Sequence, residues 1–205
     1  MKDIYSLFRF SLAGLRMMIA MTLVLGVAYP VVVLGIAQVV APWQANGSLI
    51  TPTGAHTTDP DRAVGSATIG QVSDDATLFY NRPSAAGDGY DPLNTYGSNW
   101  GPEAPELIKA IAQRQAEIAE REGVPVSEIP PDAVTASASG LDPDISVAYA
   151  ELQVPRVARA NDLTQEQVRR LVDDHTSGRT WGVLGEPRVN VLQLNIAVQQ
   201  AADAS

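Results

Sequence analysis

The side chains with chemical reach are few in this sequence. His56 and His175 are its only imidazoles, and cysteine is absent, so a thiolate metal site, a disulfide framework and a cysteine nucleophile are all excluded. Neither histidine stands at a metal-ligand spacing, and His175, at an expected helix end, is placed to meet the helix dipole. Ser137 and Ser139 alternate with alanines, without the Gly-x-Ser-x-Gly surround of a nucleophile elbow, and read as hydroxyls that bond a turn or a cap. Asp142 and Asp144 flank Pro143; an acid/base pair or a cation site is conceivable, but helix capping accounts for both. There is no Gly-x-x-x-x-Gly-Lys phosphate loop, and the only lysines are Lys2 and Lys109. Gln153, Arg156 and Arg159 surround Pro155, where a broken helix would expose backbone and a guanidinium could grip a phosphate or a carboxylate. Gln153 and Arg156 are therefore the expected place for a nucleotide contact, with internal ion pairs as the rival reading. No catalytic residue, metal ligand or intrinsic cofactor is expected.

The element that organises the chain is the run Met17 to Ala41, which has no charged side chain and only Thr22 and Gln38 as polar interruptions. As a helix it covers ~37 Å, enough to cross a hydrocarbon core of about 30 Å. A cleaved signal peptide is the rival, but its apolar region is about 7 to 15 residues long, and here Pro42 would follow the cleavage point. Lys2, Arg9 and Arg16 precede the run against Asp3, and no charge follows it until Asp59. The positive-inside rule thus predicts a cytoplasmic tail at residues 1–16, a single span at 17–41 and an extracytoplasmic domain at 42–205, in the plasma (inner) membrane. Pro30 cannot donate to the Gly26 carbonyl, so a kink or a freed carbonyl is expected there. Gly26 and Gly35 would let a partner helix approach, and Trp43 falls at the outer aromatic belt. Gly26, Pro30, Gly35, Trp43, Tyr96 and Trp100 are the expected interface residues, the aromatics for their weight at interfaces and near lipid.

Beyond the span the chain carries twenty-two acidic and eleven basic side chains, a balance that argues against nucleic acid and would concentrate small cations outside the membrane. Its length suits one domain with its own core. Asn46-Gly47 predicts a turn, followed by strands at Leu49-Ile50, within Val64–Gln71 and at Thr77–Tyr80. Residues 51–62 and 85–102 read as loops, the second rich in Gly, Pro and aromatics and of a length that is more often functional than idle. A helix is predicted from Pro105 to Glu122, closed by Gly123, and another from Asp142-Pro143-Asp144 to a break or kink at Pro155. Thr164 and Gln167 form a capping box, with Leu163 and Val168 as a staple, for a helix from Gln165 to about His175. The alternation of Leu192, Leu194, Ile196 and Val198 with other residues predicts a half-buried strand. The fold class is α+β behind a single N-terminal transmembrane helix.

Six segments in order, Pro42–Ile50, Gly65–Gln71, Arg82–Ala85, Val134–Asp142, Val154–Ala158 and Val189–Leu192, resemble the C subunit of the Kdp-type potassium-transporting ATPase, the KdpC family. Tyr96, Trp100 and Gln193 depart from the family's usual residues. The resemblance implies a non-catalytic accessory subunit of a high-affinity potassium importer, with three partners: a channel-like potassium-translocating subunit, a P-type ATPase catalytic subunit and a small hydrophobic accessory subunit. It also implies membrane lipid around the span and potassium ions nearby. The family is described as promoting ATP binding by the catalytic subunit in a ternary complex. The predicted topology conflicts with that role, because a domain outside the membrane cannot reach a cytoplasmic nucleotide; a cap over the outer ion entrance is the physically easier part. A stand-alone anchored enzyme or binding domain is the alternative, and it would need a catalytic constellation that the sequence does not display. A sensor is a further alternative, for which the sixteen-residue tail is too short to hold an output module.

Overall fold

The computed structural model describes residues 2–204 and divides the chain after Gly47 into two compact units. The first is helical almost throughout. Helix α1 (Lys2–Leu23) passes through a π-helical segment (Val24–Ala28) into α2 (Tyr29–Val40), and a short α3 (Pro42–Ala45) follows. Helix thus continues through the residues assigned to the tail, and Ile4–Val40 is one helix long and apolar enough to cross a membrane, with its side chains exposed. The irregularity expected at Pro30 is taken up just before it: the Tyr29 N–H donates to the Val24 carbonyl, five residues back, so one wide turn absorbs the missing proline donor. An added Cβ at Gly35 would meet nothing within 4 Å, and at Gly26 only Thr22 Cγ2 at 3.8 Å. This chain's own packing therefore demands neither glycine.

The second unit opens with β1 (Leu49–Ile50), which pairs antiparallel with both β2 (His56–Thr57) and β3 (Gly65–Ser66). The strand expected within Val64–Gln71 is only those two residues of β3. Helix α4 (Pro105–Glu122) ends as predicted, with Gly123 at φ +71 returning its N–H to the Ala119 carbonyl. Of its isoleucines, Ile118 is buried while Ile108 is left to solvent. Helix α5 (Pro131–Val134), β4 (Asp144–Ser146), α6 (Val147–Ala160), α7 (Gln165–Asp174), β5 (Thr176–Ser177), β6 (Arg188–Asn190) and α8 (Val191–Asp203) complete the chain. The second sheet has the antiparallel order β4-β6-β5. Its Ile145 and Val189 join Tyr149, Val154 and Val157 of α6, Val168 and Val172 of α7, and Val191, Leu194 and Val198 of α8 in one core.

Three expectations about these helices are overturned. Asp142-Pro143-Asp144 does not open a helix; Asp144 enters β4, and α6 starts three residues later with the Ser146 hydroxyl accepting from the Tyr149 N–H. Helix α6 then runs through Pro155 without a break, because packing of its buried face outweighs one missing donor. The segment predicted as a strand at Leu192–Val198 is helix α8, capped by Asn190, which accepts from the Gln193 N–H at 3.1 Å. Val191, Leu194, Asn195 and Val198 are buried at helical spacing. The period of two was an accident of counting Asn195 as a surface residue. Helix α7 and its capping box stand where the sequence put them, with Leu163 and Val168 both buried.

Candidate functional site

Residues Ala76–Tyr80 form no strand, although Thr77–Tyr80 reads as one. Their ladder partners are side chains instead. The Asn195 amide both accepts from the Phe79 N–H (2.8 Å) and donates to the Phe79 carbonyl (3.0 Å). The Gln153 amide does the same for Tyr80, accepting at 2.8 Å and donating at 3.2 Å. Asn161 donates to the Thr77 carbonyl, and one nitrogen of Arg156 donates to the carbonyls of Ala76 (2.6 Å) and Leu78 (2.9 Å). Five consecutive carbonyls are thus held by side chains of α6, α8 and the residue that closes α6. Buried backbone groups must be paired, and here helices supply what a neighbouring strand normally would.

This places the pair expected to touch nucleotide. Gln153 is completely buried, and its amide is spent on Tyr80, the Tyr149 carbonyl and Arg156. The Arg156 Nε donates to both oxygens of Glu122 at 3.1 Å, and its terminal nitrogens serve Ala76, Leu78 and Gln153. Arg121 also binds Glu122, at 2.7 Å, and reaches the Tyr149 hydroxyl at 3.1 Å. Both guanidinium carbons lie over the Tyr80 ring, at 4.1 and 4.8 Å from its centre. The Glu122 side chain is fully buried between its two arginines, so removing any member would strand a charge. Burial pulls the Arg121 guanidinium down, but Tyr149 and Glu122 outweigh it and hold it above its ordinary value. Burial pushes the Tyr149 phenol up. Arg159 is exposed.

A second polar cluster ties the loops together. Arg82 pairs with Asp142 at 2.9 Å, and Asp144 pairs with Arg188 at 2.8 Å across the β4–β6 ladder. Neither aspartate caps a helix: Asp142 accepts from the Asp144 N–H, a turn bond that serves the strand. Burial raises the Asp144 carboxyl above the usual carboxylate value, against the pull of Arg188. Ser137 and Ser139 bond the backbone as expected, receiving the Gly140 and Leu141 N–H groups. Gly140 sits at φ +74, and a Cβ there would come within 2.6 Å of Ala86 Cβ, so the 137–141 turn admits the 85–102 loop only with glycine. Ser84 Oγ then donates to the Gly140 carbonyl at 2.7 Å, and the Tyr90 hydroxyl to the Arg82 carbonyl. Burial, then Asp142, pushes the Tyr90 phenol up.

His175 closes α7, its Nδ1 2.8 Å from the Leu171 carbonyl, as the dipole reading expects. Tyr96 and Trp100 are about half exposed, Trp43 less so. Sequence reasoning missed Asn195 and Asn161. The available signal was an amide at a core position of a helical apolar face, which must be bonded to something. Among the described residues no three His, Asp or Glu side chains come together as a metal site.

These features define a class: an α+β domain with its own core, whose polar clusters are structural, on a chain with one N-terminal helix able to span a membrane. The family model described as "KdpC: K+-transporting ATPase, c chain" matches residues 11–200. A potassium-transporting ATPase KdpC subunit of Kineococcus radiotolerans is 44% identical over 197 residues, 96% of each chain. Proteins of the same name from Mycobacterium bovis (BCG) and Geobacter metallireducens are 44% and 46% identical, each over 190 residues and 92% of this chain, covering 97% and 96% of theirs. The chain belongs to the KdpC family, and is a membrane-associated subunit of a potassium-transporting ATPase.

Proposed function

We propose that this chain is a non-catalytic accessory subunit of a high-affinity, ATP-driven potassium importer in the plasma membrane, with its N-terminus in the cytoplasm and its domain outside. There it stabilises assembly with the channel-like, P-type ATPase and small hydrophobic subunits, and its acidic surface tunes cation access to the outer entrance. The observation that carries this reading is the charge asymmetry about the helix: Lys2, Arg9 and Arg16 on one side, a domain with twice as many acidic as basic side chains on the other. Gly26, Pro30 and Gly35 face a partner helix, since this chain's packing does not use the two glycines, and Trp43, Tyr96 and Trp100 are offered at the same assembly. No intrinsic cofactor is proposed. A nucleotide at Gln153 and Arg156 would have to displace Glu122 and the carbonyls of Ala76 and Leu78, so any promotion of ATP binding acts through the catalytic subunit.

The test is purification of the tagged intact chain in mild detergent, with identification of co-purifying chains and a potassium-stimulated ATPase assay. A P-type ATPase and a large membrane subunit should be recovered, and deletion of the chain should stop growth in low potassium. Recovery of the folded chain alone, or normal growth, would contradict the reading.

A further inference from the structure

Between β5 and β6 the chain makes an exposed hairpin tip, Gly178 to Pro187, in which every residue is exposed. Trp181 is 86% exposed, Val183 71% and Leu184 54%. Among the described residues of the outer unit, no other four-residue stretch offers three large apolar side chains to solvent. The tip is ordered by its own bonds. Thr180 and Leu184 exchange N–H to carbonyl bonds at 2.8 and 3.0 Å, Gly182 N–H donates to the Arg179 carbonyl, and Arg179 pairs with Glu186 at 2.6 Å. Trp181 is held at φ +54, a backbone conformation that a bulky residue adopts only when its surroundings impose it. A soluble surface gains nothing from ordering an indole into water, so the arrangement is pre-organised for an occupant.

We propose that this tip anchors the outer domain on another polypeptide chain of the ATPase, with Trp181 entering an apolar pocket of that partner and Val183 and Leu184 sealing its rim. The inference rests on the subunit reading above. Charge selects a protein over lipid. The tip has no lysine, Arg179 is neutralised by Glu186 and Arg188 by Asp144, and the domain behind it is strongly acidic. A loop seated on anionic headgroups needs basic side chains at its rim, and this one would carry a repelled domain toward them. A second copy of this chain is disfavoured by charge, because two strongly acidic domains repel each other. A tryptophan framed by smaller apolar neighbours is the usual make-up of a binding hot spot.

The experiment uses the complex purified from cells through the tagged full chain. With Trp181 replaced by benzoylphenylalanine, irradiation should give a crosslink to a polypeptide that co-purifies with the ATPase in the unmodified preparation. The variant Trp181→Ala should leave the purified complex about 30-fold faster than wild type in exchange against untagged chain, the size expected for truncating a hot-spot tryptophan. Leu93→Ser, at another fully exposed leucine, should exchange at the wild-type rate. Because the Trp181 side chain is 86% exposed, Trp181→Ala should melt as wild type does, which separates docking from folding. A crosslink to lipid or to a second copy, or unchanged exchange of Trp181→Ala, would overturn the proposal while leaving the subunit reading intact. A wild-type chain that brings down no ATPase chain at all would remove both.

Discussion

Gln153 shows how a residue that looks available for ligand can be fully employed. A glutamine beside arginines reads as a recognition group, yet here its amide substitutes for a strand edge and leaves Tyr80 with both backbone groups paired. Gln153→Ala should therefore cost about 3 kcal/mol, since a fully buried amide is removed and both half-buried backbone groups of Tyr80 lose their partners at once, whereas exposed Gln199→Ala should fall within about 0.5 kcal/mol of wild type. Denaturant unfolding of the full chain in detergent measures both. Asp144 and Asp75 should respond to acid with opposite signs. Burial raises the Asp144 carboxyl, so the folded state binds the proton more tightly and the group's contribution falls as pH rises through its window above 3.8. Hydrogen bonds from Thr77 lower Asp75, so its contribution is present above 3.8 and is lost as pH falls. Between about pH 3 and about pH 6, Asp144→Asn should gain melting temperature relative to wild type as pH rises, and Asp75→Asn should lose it. Parallel slopes for the two variants would contradict these assignments.

Elements with local punctuation were legible in the sequence, and elements defined by distant partners were not. Gly123 and the Thr164–Gln167 box fix their helices through bonds within a turn, and both appear where expected. The strand expected at Thr77–Tyr80 has the right side chains but pairs with amides that are 73 and 116 residues away, which no local pattern can reveal. Helix α8 was hidden by one polar core residue, Asn195, whose burial makes sense only once Phe79 is beside it. The Asn190 cap that could have exposed it bonds Ala67 and Asp144 as well as Gln193. Asn190→Ala should accordingly cost more than an ordinary cap, about 2 kcal/mol, against about 1 kcal/mol for Thr164→Ala, again by denaturant unfolding. In the apolar helix, Pro30→Ala restores a donor toward Gly26 and should slow amide exchange around residues 26–31 in micelles as the π-helical turn tightens. Unchanged exchange there would mean that the wide turn has a cause other than the proline.

At the scale of the whole molecule, the helix able to span a membrane and its flanking charges were legible in the sequence; the exposed apolar tip at Trp181, Val183 and Leu184 was not, because no periodicity tells an apolar residue left in solvent from one in the core. The central claim is that the acidic domain works from outside the membrane. An electrostatic role there should be screened: replacing exposed Asp61, Glu103 and Glu106 by their amides should weaken potassium uptake at low ionic strength and matter little near 0.1 M, where the screening length is about 10 Å. The most direct measurement uses the absence of native cysteine. Leu93→Cys, at a side chain 96% exposed, and Ile4→Cys, 74% exposed, would each be treated in intact cells with a membrane-impermeant maleimide, before and after lysis. Full modification of the position 93 variant in intact cells, with the position 4 variant protected until lysis, is the expected result; the reverse pattern would contradict an outer domain and return the acidic surface to the cytoplasm.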